Sequence, residues 1–322
     1  MTQAASQAAT ETSIEPMTVS MSGAERFGLL ALLLVIGAGW GLTQPLSKIA
    51  VSEGYRHFGL IFWQFAVGSV ILAVITIARR QKFPKGWAQW GFCALIAVLG
   101  TVLPNAAGFQ AAVYLPAGII SVLLSLVPIL AYPVALSFGT DQFHRMRLFG
   151  LLLGLVAVAF IALPQASLPD PGMLRYLPLA LVAPLFYAFE GNIVARYGTQ
   201  GLDPIQVLLG ASLIGMVICA PLALFSGSWI DPRPPWGLPD MALIVSSIIH
   251  ALIYSAYVWL VGRAGAVFAA QVSYLVTGFG VCWSMLLLNE RYSATLWLAV
   301  AIMFIGLFLV QPRRKNPLPA PA

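Results

Sequence analysis

Charge is what this sequence has least of. Asp, Glu, Lys and Arg make up 9% of its 322 residues, where soluble proteins carry roughly 25%. With 60% of the chain hydrophobic, so few charges cannot cover the surface of a water-soluble domain. Cysteine is almost missing. Cys93, Cys219 and Cys282 lie in apolar segments without CxxC spacing, which excludes a zinc ribbon or a disulfide scaffold and leaves them as small buried hydrophobes. There are only three histidines, so no metal centre and no cofactor is expected. The signatures HExxH, GxSxG and the Walker loop are also lacking, and no residue is nominated as catalytic.

What the sequence does have is apolar length. Runs of about 20 apolar residues recur along the chain, the length needed to cross a bilayer as a helix. Ten spans can be drawn, at 27–48, 58–78, 88–111, 115–138, 146–164, 176–197, 204–226, 241–262, 264–288 and 292–312. The net charge of +6 does not signal nucleic acid, because the basic residues sit in short clusters between spans, as in ARRQKFPK and QPRRK. Twelve of the 17 basic residues fall on the side of the N-terminus, which predicts both termini in the cytoplasm. Residues 1–24 read as a disordered cytoplasmic tail and 313–322 as a short basic one.

The chain also repeats itself. A shift of 149 residues lays GIISVLLSLVPILAYPVALSFGTDQF over VFAAQVSYLVTGFGVCWSMLLLNERY, and maps the first five spans (25–164) onto the last five (174–312). Five is odd, so the second copy enters the membrane from the opposite side. The expected fold is therefore all-α and integral to the membrane, with ten transmembrane helices as two inverted five-helix repeats. Such repeats are typical of secondary transporters with a site near the midplane.

The residues GWGLTQPLSK (39–48), SLVP (125–128) and LLLNERYS (286–293), set in this two-repeat frame, resemble the drug/metabolite transporter superfamily in its ten-helix EamA-type branch. Two positions depart from the pattern: Gln64 stands where members often carry arginine, and Pro128 meets Thr277 in the second repeat. The resemblance implies a carrier of the bacterial inner membrane, commonly an exporter of amino acids or other small metabolites. The implied partners are the lipid bilayer and a small-molecule substrate. Monomer and homodimer both fit.

One carboxylate stands out. Glu190, in FYAFEGNIVARY, lies about 10 Å deep at 1.5 Å per residue, and an ionisable group in hydrocarbon must find a polar cavity or a partner. It is the candidate proton carrier, with a structural glutamate as the competing reading. His250 lies nearer the midplane, about 18 Å from the cytoplasmic end. Gln271, Tyr274, Trp40, Ser125, Asn105 and Asn192 complete the expected substrate and proton pathway. Asp141 and Glu290 read as helix-capping carboxylates, Gly37 and Gly41 as a close-packing GxxxG, and Lys48 as a snorkelling lysine. An intramembrane enzyme and a lipid flippase stay open as alternatives, since the same bundle would serve them.

Overall fold

Proline marks where several of these apolar helices begin and where two passes break, while Pro45, Pro133, Pro184 and Pro221 lie within continuous helices. It withholds the N–H that the carbonyl four residues earlier needs, and its ring crowds that carbonyl. The computed structural model describes residues 23–139, 142–162, 170–264 and 272–310. Among them every regular element is helical. Two helices run unbroken at the start, α1 (Gly23–Val51) and α2 (His57–Ala78). The third pass is split into α3 (Gly86–Ala97), a π-helical turn (Val98–Val102) and α4 (Leu103–Tyr114). Pro104 lies four residues after Gly100, and the π-turn, closed by the Leu103 N–H on the Val98 carbonyl, accommodates it.

The fourth pass breaks for the same reason. Pro128 withholds a donor from Leu124, and α5 (Ala117–Leu124) gives way to α6 (Val127–Ser137) across Ser125 and Leu126. Then come α7 (Arg145–Ala162) and, after a 3-10 turn at Pro171–Tyr176, α8 (Leu177–Tyr197). Next, α9 (Pro204–Phe225) opens on a capping box: Asp203 accepts from the Ile205 N–H at 2.9 Å, and Gln206 reaches back to the Asp203 N–H at 2.8 Å. The chain closes with α10 (Leu238–Ala264), α11 (Val272–Leu288) and α12 (Ala294–Val310).

Seven of these helical stretches are long and apolar enough to cross a membrane, and α11 and α12 are shorter apolar helices. With α7, the described residues make ten passes. Their packing carries the repeat. In the first half α1 packs on α10 and α11, as in the second half α8 packs on α4 and α6. Likewise α2 against α10 matches α9 against α3, while α2–α9, α5–α11 and α7–α12 pair across the halves. Exchanging the halves leaves this pattern unchanged. With five passes in each, the protein is an all-α membrane protein of two inverted five-helix repeats.

Glycine sets the closest of these approaches. A Cβ at Gly41 would lie 2.8 Å from the Gly280 nitrogen and 2.9 Å from Phe279 Cβ, and one at Gly37 would lie 2.3 Å from Leu275 Cβ. The GAGWG segment is thus the contact of α1 on α11.

On the side opposite the N-terminus, polar side chains tie the hairpin of α4 and α5 to the second half. Lys48 Nζ donates to the carbonyls of Val113 and Leu115, both at 3.1 Å, and so caps the end of α4. Glu290 caps a helix too, but not the one it precedes in sequence. Its carboxylate accepts the N–H groups of Ala117 (2.9 Å) and Gly118 (3.2 Å) at the start of α5, and Tyr292 donates to it. Asp141 lies outside the described residues. Nearby, Tyr55 donates to Asp240 at 2.6 Å, and this bond, with partial burial, pushes the phenol pKa up to about 12. Losing the Glu290 cap leaves the Ala117 N–H without an acceptor and the Gly118 N–H with only the Tyr292 hydroxyl at 3.0 Å. Glu290→Ala is expected to cost about 1–2 kcal/mol, read as a lower melting temperature in detergent. An unchanged melt would show that the contact contributes nothing.

Candidate functional site

Lipid leaves a buried polar group only three outlets: another protein group, water or a ligand. Between the halves lies a cavity walled by α2, the third pass, α8, α9 and α10. Its volume of about 40 Å³ holds a few water molecules, far below the 300–1,000 Å³ typical of ligand pockets. Glu190, Thr101, Ser212, His250 and Tyr254 all line this space. Among the described residues, none of these five side chains has a protein hydrogen-bond partner. The shift of 149 found in the sequence pairs Thr101 with His250, so the cavity takes equivalent positions from both repeats.

A rigid polar frame stands beside the space. Tyr187 donates to Asn105 Oδ1 at 3.0 Å, and Asn105 Nδ2 donates to Gln64 Oε1 at 2.9 Å. This chain ties α8 to α4 and α4 to α2, and it ends on Gln64, itself a lining residue. On another side the Tyr254 ring lies 5.8 Å from His250 and 5.8 Å from Trp40, which also meets Tyr257 at 5.1 Å. One aromatic ring, Tyr254, thus stands edge-on to the imidazole, with Trp40 and Tyr257 beyond it, while no Lys or Arg lines the cavity. A group of three or more His, Cys, Asp or Glu able to hold a metal is not found among the described residues. Chemically, the arrangement offers one carboxyl, one imidazole, hydroxyls and a primary amide to a small solute or to water.

The EamA-like transporter family matches residues 26–163 and again 174–311. The chain belongs to the EamA-like transporter family. Similar proteins include the uncharacterized transporter YvbV of Bacillus subtilis, 24% identical over 89% of this chain and 92% of its own. Another is the uncharacterized transporter sll0355 of Synechocystis, 22% identical over 86% of this chain and 87% of its own. A solved crystal structure superposes with a TM-score of 0.61 over 88% of this chain and 96% of its own, at 14% identity, a likeness of fold alone.

Within this EamA-like fold the residues expected from sequence are dispersed. Glu190 and His250 come together on the cavity, and Asn105 and Trp40 stand one residue behind its wall. The remaining placements lie apart from it. Asn192 donates to the carbonyls of Ala131 (3.1 Å) and Ala188 (2.8 Å), joining α8 to α6. Ser125 is buried and donates to the Val122 carbonyl at 2.7 Å, with Met303 Sδ also against its hydroxyl. Tyr274 meets Phe304 edge to face, ring centroids 5.3 Å apart, in an apolar groove of about 870 Å³, which opens outward between α1, α11 and α12. Gln271 lies outside the described residues.

Sequence reasoning missed Thr101, Ser212 and Tyr254 in the EamA-like site, and noticed Gln64 only as a departure from the family pattern. Single hydroxyls in apolar helices carry no signal of their own. The repeat did carry one for Thr101, as the residue 149 before His250.

Proposed function

We propose that the protein is a secondary active transporter that moves a small metabolite, an amino acid, related zwitterion or aromatic compound, by alternating access. The observation that carries this reading is the convergence of five polar side chains without protein hydrogen-bond partners, among the described residues, on one small cavity between two inverted repeats. Buried polar groups without partners mark where water or a ligand belongs. The position matches the general placement of carrier sites at a repeat interface. Transporter relatives support a carrier over an enzyme.

In this mechanism Glu190 carries the coupling proton and His250, nearer the midplane, contacts the substrate. The two halves, 25–164 and 174–312, rock around the cavity to expose it to each side in turn. The excess of basic residues on the side of the termini supports a reading with both termini in the cytoplasm of a bacterial inner membrane, and export is the direction the family resemblance implies.

The test is a reconstituted assay. Purified protein in liposomes is screened against amino acids and aromatic metabolites by counterflow, and hits are followed by proton flux. Substrate-dependent proton movement is expected. Substrate exchange with no proton movement would reduce the protein to an uncoupled carrier, and no exchange of any solute would sink the transport reading.

A further inference from the structure

Most of the tightly enclosed glycines in this fold meet backbone or hydrocarbon, but Gly100 meets a carboxyl. The three atoms nearest to a Cβ placed there are Glu190 Oε1 at 2.4 Å, Cδ at 2.6 Å and Oε2 at 2.8 Å. No ordinary Cβ contact is that short. The carboxyl therefore occupies the space that any other residue at 100 would fill with its own side chain. Gly100 also sits in the middle of the π-turn Val98–Val102, a distortion found mostly at functional sites and here induced by Pro104. The turn packs directly on α8, which carries Glu190. By contrast Gly108, on α4, has open space around it.

From this contact we infer that Gly100 is a positioning residue for Glu190: its bare backbone on the π-turn is the seat that holds the Glu190 carboxyl in the lining of the cavity. The inference rests on the proposed role of Glu190 but adds something to it. A long side chain with three rotatable bonds needs a defined resting place if its carboxyl is to meet the same proton path in every cycle. The π-turn supplies that place because it brings the third pass against α8 where only a glycine fits. The seat also makes the site sensitive to motion of the third pass, since any shift of the turn moves the surface on which the carboxyl lies.

The experiment exploits the fact that the clash is with the far end of a flexible side chain. Gly100→Ala is expected to express, elute and melt like the parent, because the carboxyl swings away rather than the helices parting. Its gradient-driven transport should fall at least tenfold, with a displaced pH profile. Glu190→Asp shortens the side chain by one methylene and alone should also reduce transport. The double variant Gly100→Ala with Glu190→Asp should recover at least threefold over Gly100→Ala, since the shorter acid no longer meets the added methyl. Gly108→Ala serves as the control for helix propensity and should leave transport unchanged.

Retention of parental rate and pH profile by Gly100→Ala would overturn the inference. So would a double variant no better than the product of its parts. Should Gly100→Ala fail to fold, folding of the double variant would support the seat, and failure of both would overturn it. The proton role is judged separately. If Glu190→Gln stays fully coupled while loss and rescue still appear in counterflow, the seat stands and the proton assignment falls. If Glu190→Gln uncouples while Gly100→Ala changes nothing, the assignment stands and the seat falls.

Discussion

A Glu190→Gln protein should insert, fold and exchange substrate like the parent, yet lose all accumulation driven by a pH gradient. The expectation follows from what the cavity leaves undone. Among the described residues the Glu190 carboxyl has no hydrogen-bond partner, and no Lys or Arg lines the space with it. A charge held there in hydrocarbon would cost several kcal/mol, so protonation and access to water must go together. In the proposed cycle, a proton bound more tightly in one open state than in the other would bias which state is populated and so couple the gradient to transport. Glutamine keeps the size and hydrogen-bonding capacity but cannot titrate.

The size of the effect can be set in advance. With one proton per substrate, each pH unit of gradient supports a tenfold concentration ratio. The parent in liposomes with a two-unit gradient should approach a ratio of about 100, and the variant should stay at one. Counterflow between equal internal and external pH should survive in both. Undiminished gradient-driven accumulation by Glu190→Gln would make the glutamate structural.

The second large effect is on assembly. Gly41→Ala should cost about 3 kcal/mol, at the upper end of the usual cost of overpacking a core, whereas Gly278→Ala on the facing helix should be neutral or slightly stabilising. Both changes add one methyl to a glycine in an apolar helix, so propensity alone favours each of them. The surroundings differ. At Gly41 the methyl would meet the Gly280 nitrogen at 2.8 Å and the Phe279 carbonyl carbon at 3.1 Å, and backbone cannot rotate away. At Gly278 nothing lies within 4 Å. In lipid, close helix contact rests on dispersion and small residues more than on water exclusion, so parting α1 from α11 forfeits most of their attraction. Melting in detergent, followed by size-exclusion, separates the pair. Equal melts for the two variants would show that the contact is loose.

How much of this was readable in advance depends on the direction in space. The number and order of the passes were legible from sequence alone. Apolar runs of bilayer length, punctuated by Gly54, the FPKGW turn and DPRPPWG, define the passes, and their odd number per repeat dictates inversion. The depth of Glu190 follows from the helical rise, and its oddity follows from being the carboxylate in an apolar run.

Positions around each helix were not legible. In a soluble helix an apolar stripe tells inside from outside, but here the lipid-facing and core-facing sides are equally apolar and no stripe exists. Asn105, Asn192 and Ser125 therefore looked alike. Only the packing showed that Asn105 bonds Gln64 beside the cavity, that Asn192 ties α8 to α6, and that Ser125 is buried against Met303. Glu290 shows the same limit, since its place before α12 suggested a cap on that helix and the fold delivers it to α5. The sequence by itself determined the solvent, the number of passes, the inverted repeat and the carboxylate that needs explaining. The tertiary structure alone decided which hydroxyls join Glu190 and His250, and that Gly100 is the surface beneath the carboxyl, because azimuth in a uniformly apolar helix is set only by its neighbours.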